Sequence, residues 1–429
     1  MHSRVRTALA FLVADALVST VPGLAGPLRW NGPLTQAQVV ARARESFVAR
    51  LAALKAEVAA ARARSMRAQA LPQVSFSETT MTSTLMQLGM PAARQTYGSL
   101  NASVPLFAPQ AWAAARAAGS QAWAARATTA MVINQAVSDA VQVYNAAALA
   151  RAVVQQRAID VRDQRSHLAF TEERVRAGAA PRYLIARDEA ALAQAQQSEE
   201  DARAGAVRAA HALEVLLDFD TASNPVITLL PPSLTFVPNV AELERRAYAQ
   251  RPDVVAAERS LLAARQRITS ARDGYLPTIS ATAQTYNGTS NPPLGSAGSQ
   301  VGISASLPLF DGGSRSADVR RAQLDYDRTR IELSRTRLQA QADVLDAVRD
   351  VQAAQRNVAT ANSELRNATV DVRITELRAR AGKGIELDVL DALATLANAR
   401  ENVLRATARY DDSLAALHRS VGDYAPTSY

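Results

Sequence analysis

Cysteine is absent from the 429 residues. That absence excludes disulfides, thiolate metal sites, a cysteine nucleophile and a lipid-acceptor cysteine behind a leader. Aromatic residues are scarce, at 5%, so the chain lacks the rings on which large globular cores draw. Alanine and arginine fill the long stretches instead, and small alanine faces suit helices packed closely side by side. Histidine is equally thin: His2, His167, His211 and His418 are scattered. No HExxH, P-loop or nucleophile-elbow pattern occurs, so the reading is of a non-enzyme with no cofactor and no metal site. Met81, Met86 and Met90 fall in a predicted loop and read as loop methionines rather than a soft-metal site. The net charge of +8 is spread along helical runs with no aromatic-basic groove, which argues against nucleic acid as a partner.

The N-terminus has the form of a signal peptide over residues 1–26. Arg4 and Arg6 supply a charged region, Thr7 to Val21 is a largely apolar run interrupted by Asp15, and small residues follow around Gly23 to Gly26. Beyond it, no apolar run reaches the roughly 18 residues that a membrane-spanning helix requires. A membrane crossing by the mature chain must therefore use strands.

The strongest internal signal is a duplication. Leu71-Pro72-Gln73-Val74-Ser75 matches Leu276-Pro277-Thr278-Ile279-Ser280, Pro105-Leu106-Phe107 matches Pro308-Leu309-Phe310, and Ala177-Gly178 matches Ala381-Gly382. The spacings are 205, 203 and 204 residues (277 − 72, 308 − 105, 382 − 178). The first copy spans 27–217 and the second 240–429, with the proline-bearing segment 218–239 as a linker. Each copy opens with a helix and continues with a strand pair, 71–106 or 276–310. In these segments apolar residues (Val74, Phe76; Leu100, Ala102, Val104; Ile279, Ala281, Ala283; Val301, Ile303, Ala305) alternate with small polar ones. Each alternating segment has about the ten residues of a tilted membrane strand. Met81 to Arg94 and Gly288 to Gly298 lack that period and read as loops.

A very long helix follows each pair, over 110–176 and 314–380, and a return helix follows each of those. Leu324, Ile331, Leu338 and Leu345 step by seven, Val351, Val358, Leu365 and Val372 continue in a shifted phase, and Trp123, Ala130, Val137 and Tyr144 do the same earlier. Seven-residue steps predict coiled-coil-like packing, and helices of this length need a covered seam. Four strands cannot close a barrel whose backbone is shielded from lipid, so several chains must pool them.

Arg251-Pro-Asp253-Val-Val-Ala-Ala-Glu258, Ala271-Arg-Asp-Gly-Tyr275-Leu-Pro277, Leu307-Pro-Leu-Phe310-Asp-Gly-Gly313 and Gly382 with Leu387-Asp-Val-Leu-Asp391-Ala resemble the TolC-like outer-membrane efflux family. The resemblance runs from about Leu34 to Gly422. It implies a mainly α fold with a small β part, in which a long-helix α-barrel continues into a membrane β-barrel. It further implies a homotrimer with four strands per protomer, set in outer-membrane lipid and reaching into the periplasm. The partners it implies are a periplasmic adaptor and an inner-membrane pump, proton-driven or ABC type, in efflux or in protein secretion. Asp388 and Asp391 match the family's periplasmic-gate aspartates. The family's latching arginine and tyrosine fall at Gly384 and Ala379 here, so Lys383 is the candidate substitute partner. Gly178 and Gly382 mark the adaptor-contact tips. Pro72, Pro105, Pro277 and Pro308 mark strand-helix elbows at strand ends, and Phe107, Trp112, Tyr275 and Phe310 an aromatic girdle at the membrane interface. The competing reading is a structural coiled-coil scaffold without channel activity.

Overall fold

The computed structural model describes residues 28–83, 93–220, 223–229, 239–290, 296–381, 383 and 386–424. The leader, Met86, Met90, Gly382 and Gly384 lie outside them. The first copy contains β1 (Asn31–Pro33), α1 (Gln36–Ala43), α2 (Phe47–Ala68), β2 (Gln73–Ser83), β3 (Ala93–Phe107), α3 (Pro109–Arg176) and α4 (Tyr183–Leu216). After β4 (Asn224–Val226) come α5 (Val240–Gln250), α6 (Pro252–Asp273), β5 (Thr278–Ser290), β6 (Ser296–Ser306), α7 (Ser314–Arg380) and α8 (Glu386–Val421). The fold is thus two tandem copies of one pattern, mainly helical with two strands in each repeat's sheet segment.

Local chemistry sets the ends of these elements. Thr35 and Gln38 form a reciprocal capping box at α1, and Pro109 and Pro252 occupy first-turn positions, where a missing N–H costs nothing. The 68 residues of α3 and the 67 of α7 hold no interior proline, and each spans roughly 100 Å at ~1.5 Å per residue. All four long and return helices stop by the same device. The N–H groups of Ala179, Phe219, Lys383 and Asp423 donate to the carbonyls of Arg174, Glu214, Arg378 and His418, at 2.8, 2.8, 2.9 and 3.0 Å. These are the six-to-one bonds of a Schellman stop. They require a left-handed residue, which Gly178 (φ 72°), Asp218 (φ 56°) and Gly422 (φ 91°) provide.

The helices build a wall one layer thick. In the upper half α2 packs on α3, α3 on α6 and α6 on α7; in the lower half α4 packs on α3, α3 on α8 and α8 on α7. The shift of heptad phase near Val351 marks where α7 changes partner. Val344, Val351 and Val358 are buried with Ala406 and Tyr410 of α8, and Val372 packs lower down with Val389, Leu393 and Leu396. At mid-height Leu34, Val39, Val137, Tyr144, Leu213, Leu217 and Phe219 form a second core, into which the Tyr144 hydroxyl sends a hydrogen bond to the Leu34 carbonyl at 3.0 Å.

Two expectations need correction. The segment 218–239 is more than a linker, because Asn224–Val226 pairs in parallel with Asn31–Pro33, and Trp30 stacks on Phe219 at 5.8 Å. Three-residue strands carry no readable period. The strands also run past the alternating segments, to Ser83 and Ser290 on one side and back to Ala93 and Ser296 on the other. There the alternation in the sequence stops while the hydrogen-bond ladder continues.

Near mid-height the C-terminus of α8 docks on the α5–α6 corner. The Arg251 guanidinium binds Asp253 at 2.9 Å, Asp343 of α7 and the Ser420 carbonyl at 3.4 Å. Burial works against its charge, and the two carboxylates outweigh burial and hold the guanidinium more firmly protonated than usual. Gly422 lies against this corner: a Cβ there would meet Arg251 Cα at 3.1 Å and the Gln250 carbonyl at 3.2 Å. Gly422→Ala is therefore expected to lower stability by about 1–3 kcal/mol through φ strain and crowding. Gly178→Ala has the same φ problem with open space around it, so thermal unfolding of the two variants separates strain from crowding.

Asp411, on the same helix, has its carboxyl pushed up to about 6, first by burial and then by the charge of Asp412. The folded chain then binds this proton more tightly than the unfolded chain does. Stability consequently falls as pH rises from the ordinary 3.8 to about 6, and stays reduced above that. Asp411→Asn should raise the melting temperature near neutral pH, with the gain fading towards about pH 4.

Candidate functional site

The sheet order is β2-β3-β5-β6, all antiparallel. Its register sorts the residues by face. Val74 pairs with Ala102, Phe76 with Leu100, Ala102 with Ala283, Val104 with Ala281, Ala281 with Ile303 and Ala283 with Val301. One face is therefore apolar across all four strands. Its side chains are bare in the single chain, with Val74 70%, Phe76 69%, Val301 84% and Ile303 74% exposed. The other face is dominated by hydroxyls and amides: Ser77 bonds Ser99 at 2.8 Å, Ser280 bonds Ser304 at 2.9 Å and Gln300 donates to Gln284 at 3.2 Å. Such a sheet has one side for hydrocarbon and one for water. Among the described residues, its outer strands β2 and β6 each have one edge unpaired.

At the lower end of the sheet, Pro72 and Pro277 immediately precede β2 and β5, and Pro308 follows β6. Pro105 is placed differently. It lies inside β3, where the register against β5 slips between Pro105 and Phe107. A bulge lets an interior strand tolerate a residue with no N–H to give. Phe107 meets Trp112 edge-on at 6.0 Å, and the Arg315 guanidinium covers the Tyr275 ring at 4.8 Å while pairing with Asp311 at 2.7 Å. Phe310 is 90% exposed. These aromatics share one level, just below the apolar band.

At the opposite end, roughly 100 Å away, Asp388 and Asp391 occupy the first turns of α8. Val389, Ala392, Leu393 and Leu396 turn that helix's apolar side onto α7, which leaves both acids exposed. The helix N-terminus favours negative charge there. Lys383 is exposed on the preceding turn, and among the described residues none of the three has an ion-pair partner, so the single chain does not join Lys383 to the acids. Gly178 holds the other tip turn, and its partner Gly382 lies outside the described residues.

Between the tip and mid-height lies a charge cluster that local sequence patterns did not reveal, since its members come from helices about 240 residues apart. Arg157 of α3 pairs with Glu401 of α8 and, at 3.6 Å, with Asp160; Arg400 of α8 reaches Asp163 at 2.8 Å and Asp160 at 3.6 Å; Arg405 bonds Glu401 at 2.8 Å. Burial raises the Asp160 carboxyl above its usual range, partly countered by Gln156 and the two arginines. Below the cluster, α3, α7 and α8 enclose a cavity of about 240 Å³ lined by Asp163, His167, Phe170, Glu376, Arg380 and Arg400. Beside it Asp188 of α4, almost fully buried, faces His167 Nε2 at 3.7 Å. No group of three or more acidic, histidine or cysteine ligands that could hold a metal occurs among the described residues. Among them, no helix is long and apolar enough to cross a membrane.

Comparison with known proteins agrees with this geometry. Protein CyaE of Bordetella pertussis is 29% identical over 219 residues, which cover 50% of this chain and 46% of that relative, so the match spans about half of each. A crystal structure of CusC, described in terms of folding and transmembrane channel formation, superposes with a TM-score of 0.82 at 19% identity, covering 94% of this chain and 95% of that one. VceC of Vibrio cholerae gives 0.77 at 19% over 90% and 96%, and the open-state outer membrane channel MtrE of Neisseria gonorrhoeae 0.76 at 21% over 90% and 88%. Residues 45–218 and 243–423 both match the family described as outer membrane efflux protein. The chain belongs to that outer membrane efflux protein family, and its place is the outer membrane with the helices extending into the periplasm.

Proposed function

We propose that three copies of this chain form a passive export duct through the outer membrane and periplasm, serving a tripartite efflux or secretion system. The observation that carries this reading is the two-faced, four-stranded sheet whose outer edges are unpaired among the described residues. In hydrocarbon each unpaired amide costs several kcal/mol, and only closure removes an edge. Three chains supply twelve strands, and the apolar face then points to lipid while the serine and glutamine face lines the bore. The flanks of the helix wall lie in the same order beneath, so the barrel continues downward as a helical tube. A coiled-coil scaffold leaves the apolar sheet face without a purpose.

At the lower end the tip turns at Gly178 and Gly382 are suited to a periplasmic adaptor, with an inner-membrane pump of proton-driven or ABC type behind it. Cargo selection falls to the pump. Threefold symmetry turns Asp388 and Asp391 into two rings of carboxylates at the entrance, a constriction that attracts cations. Lys383, one turn away and without an ion-pair partner among the described residues, is the candidate counter-charge.

Purified protein in a planar bilayer should conduct as a trimer with cation preference. The double variant Asp388→Ala, Asp391→Ala should keep that conductance while losing most of the cation selectivity and the block by divalent cations. Traces identical to the parent would remove the gate assignment. A folded trimer that never conducts would favour the scaffold.

A further inference from the structure

The duplication supplies a template for a contact that a single chain cannot make. α6 lies between two long helices, α3 and α7, whereas its first-copy counterpart α2 packs on α3 alone among the long helices. Residues that α3 and α6 bury inside the chain can therefore be compared with their counterparts on α7 and α2. On α3, Ser120, Ala127 and Asn134 are 9%, 1% and 6% exposed; 204 residues later stand Leu324, Ile331 and Leu338, at 52%, 69% and 68%. On α6, Ala263 is fully buried; 205 residues earlier stands Val58, at 61%. The exposed counterparts are the larger and more apolar residues. That is the reverse of what water-facing positions favour.

The internal junction also fixes a register. Ser120 bonds Gln266 at 2.8 Å, Arg267 donates to Gln121 at 3.3 Å, and Ser270 donates to the Gln110 carbonyl at 3.1 Å. Shifted by one repeat, the first two contacts become Leu324 beside Ala61 and Asp325 beside Arg62. Continuing down the antiparallel helices in steps of seven, Ile331 meets Leu54 and Leu338 meets Phe47, both of them exposed apolar residues of α2. The apolar positions coincide at each step, and at the polar step the amide–guanidinium contact is replaced by a carboxylate and a guanidinium. Among the described residues, Asp325 pairs with the exposed Arg328 of its own helix, at 3.8 Å.

We infer that the seam between copies repeats the α3–α6 junction: the Leu324, Ile331 and Leu338 stripe of one copy seats on Ala61, Leu54 and Phe47 of the next, with Val58 alongside, closed by an Arg62–Asp325 ion pair. This rests on the trimeric reading above and adds its register. The desolvated apolar steps hold the joint, and the ion pair fixes its phase.

Because the chain has no cysteine, introduced pairs report without background. Mild oxidation of Leu54→Cys, Ile331→Cys should give a covalent trimer on a non-reducing denaturing gel, reversed by reductant. The offset pair Leu54→Cys, Leu324→Cys, displaced by seven residues or about 10 Å, should remain monomeric. Cross-linking by the offset pair instead, an intrachain disulfide in the matched pair, or no cross-link in a particle of trimer mass would each overturn the register and leave the trimer standing. A native mass below the trimer would overturn the trimeric reading itself. Should the cysteine variants fail to fold, charge exchange decides: Asp325→Arg should lower the temperature at which the trimer dissociates, and adding Arg62→Asp should restore it. Absence of that rescue also overturns the register.

Discussion

A backbone amide in hydrocarbon has no water to turn to, and most of this molecule's layout follows from that constraint. Four strands of 11, 15, 13 and 11 residues are too few to close a lipid-facing barrel within one chain. The sheet nevertheless commits a band of one face to apolar side chains, which has physical sense only where the edges are paired by something else. The absence of cysteine and the shortage of large aromatic residues fit the same economy. Stability is spread along joints between neighbours instead of being concentrated in a globular core.

The helical part inherits its order from the sheet. The strand order β2-β3-β5-β6 is repeated below as α2, α3, α6 and α7, so a single wall runs from the membrane downward with the same two open flanks. The Pro105 bulge and the Asp311-Gly-Gly turn are the points where strand becomes helix without breaking that order. Both are places where backbone irregularity is tolerated: a slipped register in one case and two left-handed glycines, φ 65° and 91°, in the other. Mid-height is the second fixed level, where Arg251 and the left-handed Asp218 and Gly422 return the chain to the wall.

The fold was legible in the sequence wherever a period or a repeat carried it. Alternation at Val74–Phe76, Leu100–Val104, Ile279–Ala283 and Val301–Ala305 located the sheet, and the register placed all these apolar residues on one face. The heptad stripe Leu324, Ile331, Leu338 was visible too, although sequence alone could not say that its partner lies outside the chain. Less was legible where no period exists. The β1–β4 pair consists of three-residue strands, and the polar ends of the long strands look like loop. The charge cluster of Arg157, Asp160, Asp163, Arg400 and Glu401 depends on two helices meeting in a phase that only packing sets. At the tip, motif position located Asp388 and Asp391, and their exposure follows from the apolar side that α8 turns to α7.

That charge cluster also makes the two copies unequal in the lower half. Advanced by 204 residues, Arg157, Asp160 and Asp163 become Ala361, Glu364 and Asn367; moved back by the same interval, Arg400, Glu401 and Arg405 become Gln196, Gln197 and Asp201. The junction between α3 and α8 inside a chain therefore holds matched, half-buried charges. The corresponding positions on α7 and α4, which face different copies in the proposed trimer, offer an alanine, amides and acids with no cation among them. Breaking a partly buried ion pair strands its partner, whereas parting two amides returns each to water at little net cost. Joints within copies and joints between copies thus alternate around the lower tube in their resistance to separation. Asp388 and Asp391, present in only one repeat, lie on α8, the helix that the charge cluster ties to α3 of its own copy.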